Sequence, residues 1–364
     1  MAEANESIGI ARAAGVSDRG VATREGAVSD AVDVHTHIFA SSWPDFASRH
    51  GGAAWPRLEG DPAASCKLYL GATFNRNLTP HAFDPTRRIE DMDRIGVGVQ
   101  LLSPAPPTFC YWAPPVAAAE WHHMQNDAIA EIVARHPARF LGAGALPLQA
   151  PDLAVKELAR MAGDLAFPAV EIAGNVDGRD LDDAALEPVW EAAQDLGIAV
   201  FVHPQAPILG DARFRANNLT QVAGFPLETA LAMTRVVFGG VLDRWPRLRW
   251  CFAHGGGAFG YILPRLDRGW HVMDAARAAI PEPPSRYASR VWIDSLTHSP
   301  RALGLALETF GRDRIVLGSD YPFTMGVDDP VAELDPLGLD ADTRRRLTAD
   351  NARELLALRR PQVS

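Results

Sequence analysis

From Val32 onward, eight short apolar runs recur along this chain, each followed by a longer amphipathic segment. They read VDVHTHI (32–38), GVGVQLLSP (96–104), FLGAGALP (140–147), AVEIAG (169–174), IAVFVHP (198–204), RLRWCFAHGG (247–256), RVWIDSLTH (290–298) and RIVLGSDYP (314–322). Near-continuous Val, Ile, Leu and Phe suits strands covered on both faces, as in a parallel sheet. The intervening segments carry helix punctuation. In DPTRRIEDMDRIG (84–96), Asp84 stands at the N-cap, Pro85 at the first helical position and Gly96 past the end. Segments 117–137, 152–163, 186–197 and 341–358 repeat the helical pattern. Eight strand–helix alternations specify an α/β chain, a TIM-type (β/α)8 barrel. A doubly wound open sheet is the competing arrangement. The count of eight, and the lack of a glycine-rich phosphate turn after the first strand, favour the barrel.

One segment interrupts the rhythm. Residues 39–83 separate the first strand from its helix and contain KLYLGATFNR (67–76), which reads as a small β-hairpin. The domain is therefore expected over residues 31–360, with an insertion at 39–83 that roofs the end of the barrel. A second long strand-to-helix loop spans residues 205–225. Residues 1–30 mix charge with Ala, Gly and Ser, contain no apolar stretch, and read as a disordered tail rather than a signal peptide.

Composition excludes several classes of function. The chain has 364 residues and a formal net charge of −10. Such a charge is the wrong sign for a nucleic-acid partner. No run of 18 apolar residues is present, so no membrane helix is expected. The three cysteines, Cys66, Cys110 and Cys251, are far apart and lack a CxxC spacing. They read as free thiols in a reducing, cytoplasmic setting.

Polar oddities gather at one end of the runs. His35 and His37 close the first strand, His203 the fifth, His254 the sixth and Asp320 the eighth. Strand C-termini form the active face of a barrel. Residues i and i+2 of a strand share a side, so His35 and His37 both aim at the barrel axis. A lone strand histidine is usually a satisfied core residue. Four histidines and an aspartate at strand ends on one face point instead to an N/O metal site. His254, followed by GGG, is a ligand or a base beside the ion; its spacing leaves both open. The fourth strand carries Glu171 but no lysine to bridge a second ion. A single ion is expected, with Glu171 outward or packing.

The remaining polar and aromatic residues have plainer readings. His122 and His123 sit on an amphipathic helix, partly exposed, and His136 lies at that helix's end. Asp294 and His298, closing the seventh strand, are candidates to support the ligands. Tyr111 and Trp112 follow the second strand on a loop, where they line the pocket or simply pack.

These residues resemble the amidohydrolase superfamily, and the local strings FLGAGALPLQAPDLAVKEL (140–158), VFVHP (200–204), CFAHGGGAF (251–259) and VLGSDYPF (316–323) resemble its aminocarboxymuconate-semialdehyde decarboxylase-like subgroup. The resemblance implies one catalytic Zn2+, or another divalent ion such as Mn2+, held by His35, His37, His203 and Asp320. It makes His254 the acid/base that takes a proton from metal-bound water, with Asp320 also counted as catalytic. The implied reaction is non-oxidative decarboxylation of an unsaturated or aromatic carboxylic acid, without an organic cofactor. The resemblance further implies substrate contacts from Arg76 and Arg265, with Trp112 and Phe323 lining the site. Arg265 would reach the neighbouring subunit's site in a homodimer. The chain departs from the subgroup where Gln205 follows HP, in the polar run Asn217–Gln221, and where HAFDP stands for CWDP. These departures bear on the substrate. A metal-dependent hydrolase or hydratase with the same ligands is the alternative, and a non-catalytic barrel the third reading.

Overall fold

The computed structural model describes residues 29–205, 212–214 and 216–358. The tail expected over residues 1–30 lies, apart from residues 29 and 30, outside the described residues. All eight apolar runs form strands of one parallel sheet. They are β1 (Val32–Ile38), β2 (Val99–Pro104), β3 (Phe140–Gly144), β4 (Ala169–Ala173), β5 (Ala199–His203), β6 (Trp250–Phe252), β7 (Trp292–Asp294) and β8 (Ile315–Val316), in that spatial order. Parallel bridges Asp33–Leu317 and Thr36–Tyr321 bring the chain after β8 back to β1 and close the barrel.

The helices fall where the punctuation puts them. Pro85–Ile95 starts at Asp84, whose side chain accepts from the Thr86 amide, and ends at left-handed Gly96. Pro115–Arg135, Pro151–Gly163 and Glu187–Leu196 follow the second, third and fourth strands. The segment expected as one helix at 341–358 is instead Ala341–Arg345 and Asn351–Leu355, joined by a wider turn over Arg346–Asp350. Ala352 and Leu355 share one buried cluster with Val32, Val34, Leu101, Phe201, Cys251 and Val316, which come from strands around the barrel. Burying such side chains contributes about 1.5–3 kcal/mol each.

The insertion is larger than the expected hairpin. Ser65–Leu70 and Thr73–Leu78 pair antiparallel, and Pro56–Asp61 adds a third strand. That edge strand was not legible because PRLEGD is mostly exposed, begins with proline and contains glycine. Leu68 and Leu78 bury with Phe39 and Phe83, which fastens the small sheet over the barrel mouth.

Candidate metal centre

β1 presents both histidines to the axis, as the two-residue period requires. The rings of His35 and His37 lie 5.2 Å apart, and each is 5.1 Å from that of His203. Asp320 completes the set: its Oδ1 is 3.0 Å from His37 Nε2 and 3.5 Å from His35 Nε2. One ligand atom from each of His35, His37, His203 and Asp320 fits within a 4.8 Å cluster, and all four residues are buried. Apart from their contacts with one another, His35 Nε2, His37 Nε2 and Asp320 Oδ1 have no hydrogen-bond partner among the described residues. Buried polar atoms are rarely left so. Three imidazoles and a carboxylate converging on one point, with their inward atoms unsatisfied, fit a divalent cation.

The outward nitrogens are tied down. His35 Nδ1 is 2.6 Å from Asp294 Oδ2, and His203 Nδ1 donates to the Pro204 carbonyl at 2.6 Å. His37 Nδ1 faces Ser103 Oγ at 3.2 Å and Glu171 Oε2 at 3.6 Å. Each contact fixes a tautomer that leaves Nε2 free for an ion.

The charges are uneven. Burial disfavours protonated His35, but the Asp294 bond and the charges of Asp320, Asp294 and Glu171 outweigh it and push its pKa up to about 9. Burial wins at His37, which falls to about 4 despite Asp320. His254 also falls to about 4, through burial and then the His35 charge. His203 drops well below the usual range through burial and its histidine neighbours. Asp320 resists the upward pull of burial because His37, His35 and His254 favour its anion, and it sits at about 2. Without an ion, the cluster holds one proton on His35 where a cation's charge would stand.

Two ends of the site adopt a strained backbone. His254 and Asp320 have φ of 56° and 61°. Left-handed non-glycine residues of this kind cost about 1–3 kcal/mol and cluster at functional sites. After His254, Gly255, Gly256 and Gly257 all have positive φ, and a Cβ on Gly257 would stand 2.1 Å from the Pro226 carbonyl oxygen. Only glycine passes there.

Above the cluster lies a cavity of about 930 Å3, with His203, His254 and Asp320 at its floor. Arg76, Phe323, Gln205, Asn218 and Gln221 are among its lining residues. The Arg76 guanidinium stacks 4.3 Å over the Phe323 ring, and its Nε donates to Asn75 Oδ1 at 3.0 Å. It makes no ion pair with a carboxylate among the described residues.

A family model described as amidohydrolase matches residues 32–358. The chain is 36% identical over 329 residues to 2-amino-3-carboxymuconate-6-semialdehyde decarboxylase of Dictyostelium discoideum, spanning 90% of this chain and 91% of that one. The chain belongs to the amidohydrolase family. Among solved structures, 2,6-dihydroxybenzoate decarboxylase from Rhizobium superposes with a TM-score of 0.73 at 26% identity, covering 91% of this chain and 99% of that one. A dihydroxybenzoic acid decarboxylase from Polaromonas sp. JS666, solved with bound manganese and the inhibitor 2-nitroresorcinol, gives 0.75 at 23% identity over 92% and 98%. In architecture this amidohydrolase is thus one of the eight-stranded parallel barrels.

The structure brings His35, His37, His203, His254 and Asp320 together, with Arg76 and Phe323 in the cavity above them. Trp112 it sends elsewhere. The indole packs 5.0 Å from Trp55 in the insertion and does not line the cavity. Tyr111 takes the packing role, its hydroxyl accepting from the Ala173 amide at 3.3 Å. Arg265 is exposed on helix Phe259–Val272, outside its own protomer's cavity.

Two plainer expectations are corrected. Glu171 points inward, 1% exposed, between His37 and Tyr111, and burial pushes its pKa up to about 8. Its short strand is buried at every position, so no outward face existed. His122 is fully buried rather than partly exposed, because its Nε2 bonds the Phe109 carbonyl at 2.7 Å. Asp294 supports His35 directly, whereas His298 lines the cavity wall. Asp33, Arg88, Gln100, Ser103 and Ser319 were not singled out from sequence. Asp33 could not be read from the two-residue spacing, because a register shift between Asp33 and Thr36 breaks the alternation and Asp33 bonds Gln100 and Ser319 outside the cavity.

Proposed function

We propose that this chain is a divalent-metal-dependent, non-oxidative decarboxylase of an unsaturated or aromatic carboxylic acid. The observation that carries it is the convergence of His35 Nε2, His37 Nε2 and Asp320 Oδ1, with His203, beneath a cavity into which Arg76 projects without an ion pair among the described residues. His35, His37, His203 and Asp320 hold the ion. Three imidazoles and one carboxylate suit Zn2+ and admit Mn2+. When bound, the ion supplies Lewis-acid polarisation of the substrate oxygens nearest the scissile bond.

The chain's own groups do the rest. Arg76 holds a substrate carboxylate through its planar fork, its orientation set by Phe323 and Asn75. His254 enters neutral, takes a proton from solvent, and gives it to the carbon that loses the carboxylate. The C–C bond breaks, its electron pair stays on that carbon, a C–H bond forms and carbon dioxide leaves. The main-chain amides of His254 and Gly255 donate to Asp294 at 2.9 and 2.7 Å, which ties the acid/base to the carboxylate that orients His35.

Arg265 completes the site of a second copy in a homodimer. Its exposure beside Tyr261, which is 83% exposed, supports that reading. Three buried free cysteines suit a reducing, cytoplasmic setting. Among the described residues no helix is long and apolar enough to cross a membrane. The test is carbon dioxide release from a panel of muconate-like and ortho-hydroxybenzoate-like acids, run with Zn2+ and with Mn2+. Stoichiometric hydrolysis or hydration of the panel without carbon dioxide would replace this reading with the hydrolase one.

A further inference from the structure

Asp320 owes its place to its neighbours. Ser319 on one side gives both its amide and its hydroxyl to Asp33, at 3.1 Å to Oδ1 and 2.6 Å to Oδ2. Asp33 Oδ1 also accepts the His35 amide at 3.2 Å. Tyr321 on the other side accepts the His37 amide at 2.8 Å, and its ring lies 4.5 Å beneath the Arg88 guanidinium. Asp33 and Arg88 do not touch. The Gln100 amide lies between them, its Oε1 accepting from Arg88 Nη1 at 3.1 Å and its Nε2 donating to Asp33 Oδ2 at 3.3 Å. Arg88 also donates through Nη2 to the carbonyl of His37 and, at 3.4 Å, to that of His81 at the end of the insertion.

All four side chains are sealed from solvent: Asp33 and Arg88 are 0% exposed, Gln100 and Ser319 1%. A buried cation and a buried anion compensate each other here through an oriented amide, carbonyl to the cation and NH2 to the anion. None of the four lines the cavity, so none touches substrate. Yet each end of the chain grips a segment that carries a ligand. Asp33 holds the residue before Asp320. Arg88 holds the carbonyl of His37 and the ring after Asp320.

We propose that the buried chain Arg88–Gln100–Asp33–Ser319 is a positioning device for the metal centre, holding Asp320 in its left-handed conformation and His37 in register with it. The inference rests on the metal-site reading above. The relay also ties the insertion bearing Arg76 to the metal-bearing strand, through His81.

The test uses the full chain, stripped with a chelator and titrated with Zn2+ against a chromophoric competitor, and with Co2+ followed by its visible spectrum. Ser319→Ala removes one hydroxyl. Asp33→Asn keeps the shape but presents an amide where two acceptors are needed. Each should weaken Zn2+ binding roughly 10- to 100-fold and alter the Co2+ bands, while the metal-free melting temperature moves little in Ser319→Ala and falls in Asp33→Asn, which leaves the buried Arg88 charge uncompensated. The exchange Asp33→Asn/Gln100→Glu keeps the buried charge count and should not restore binding, because residue 33 still cannot accept from both Ser319 donors. Wild-type affinity in Ser319→Ala and in the exchange variant would overturn the device. A lowered melting temperature with unchanged affinity would reduce it to ordinary core polarity. If Asp33→Asn does not fold, Ser319→Ala decides alone. A wild-type chain that takes up none of these ions would instead overturn the metal reading itself.

Discussion

His35 Nδ1 sits 2.6 Å from Asp294 Oδ2, with both side chains fully buried. The same carboxylate accepts three main-chain amides, from His254, Gly255 and Leu296, at 2.9, 2.7 and 3.1 Å. One side chain thus sets the tautomer of His35, a proposed ligand, and the position of His254, the proposed acid/base. Gly318 permits it, since a Cβ there would lie 2.8 Å from Asp294 Cβ and 3.0 Å from His35 Cβ.

Asp294→Asn tests that arrangement. An amide has one acceptor oxygen, so its NH2 must face either the amides of Gly255 and Leu296 or both His35 Nδ1 and the His254 amide. Metal affinity should fall roughly 10- to 100-fold, as for other carboxylates behind ligating histidines. Competition titration of Zn2+ reads the change. Unaltered affinity would show that His35 needs no such partner.

The roles of His254 and Asp320 separate by metal content. Both residues are left-handed, a conformation asparagine tolerates, so His254→Asn and Asp320→Asn preserve the backbone. His254→Asn should keep its metal and lose turnover by about 10²- to 10⁴-fold, the usual worth of a general acid–base group. Asp320→Asn should lose both. Metal analysis beside the decarboxylation rate decides, and loss of metal from His254→Asn would make it a ligand.

Arg76→Ala should retain metal while kcat/KM falls roughly 10- to 100-fold, the worth of a charge-assisted hydrogen bond of about 1.5–3 kcal/mol. Arg76→Lys restores charge but not the fork, nor the full stack on Phe323, and should recover only part. An unchanged kcat/KM on every acid turned over would remove Arg76 from substrate binding.

How far the sequence was readable follows from the kind of interaction involved. The β1 histidines and Asp320 were legible because a two-residue period and a strand end are local. Trp112 was not, since its partner Trp55 lies in an irregular insertion whose position over the barrel no periodicity encodes. Arg88 is the clearest case. Its helix was expected, but its burial depends on His37, Gln100 and Tyr321, which only barrel closure brings together. His122 and Glu171 were misread for the same reason: a polar residue's burial is decided by a distant partner or neighbour.

His122 also yields a prediction away from the metal. Its pKa falls from 6.5 to about 4, chiefly through burial, only partly countered by its bond to the Phe109 carbonyl and by the Glu157 charge. Between those two values the unfolded chain binds a proton on this residue that the folded chain refuses. Stability therefore rises with pH across that window and is lost as pH falls from about 6.5 toward 4, by something of order 3 kcal/mol when complete. His122→Gln keeps a donor for Phe109 and does not titrate. Urea unfolding of chelator-treated protein at pH 7 and at pH 4.5 should show a smaller acid loss in His122→Gln than in wild type. Because both proteins lack the ion, protonation of the metal ligands contributes equally and cancels in the difference. Equal losses in the two proteins would mean that His122 takes up its proton in the folded state as readily as in the unfolded one.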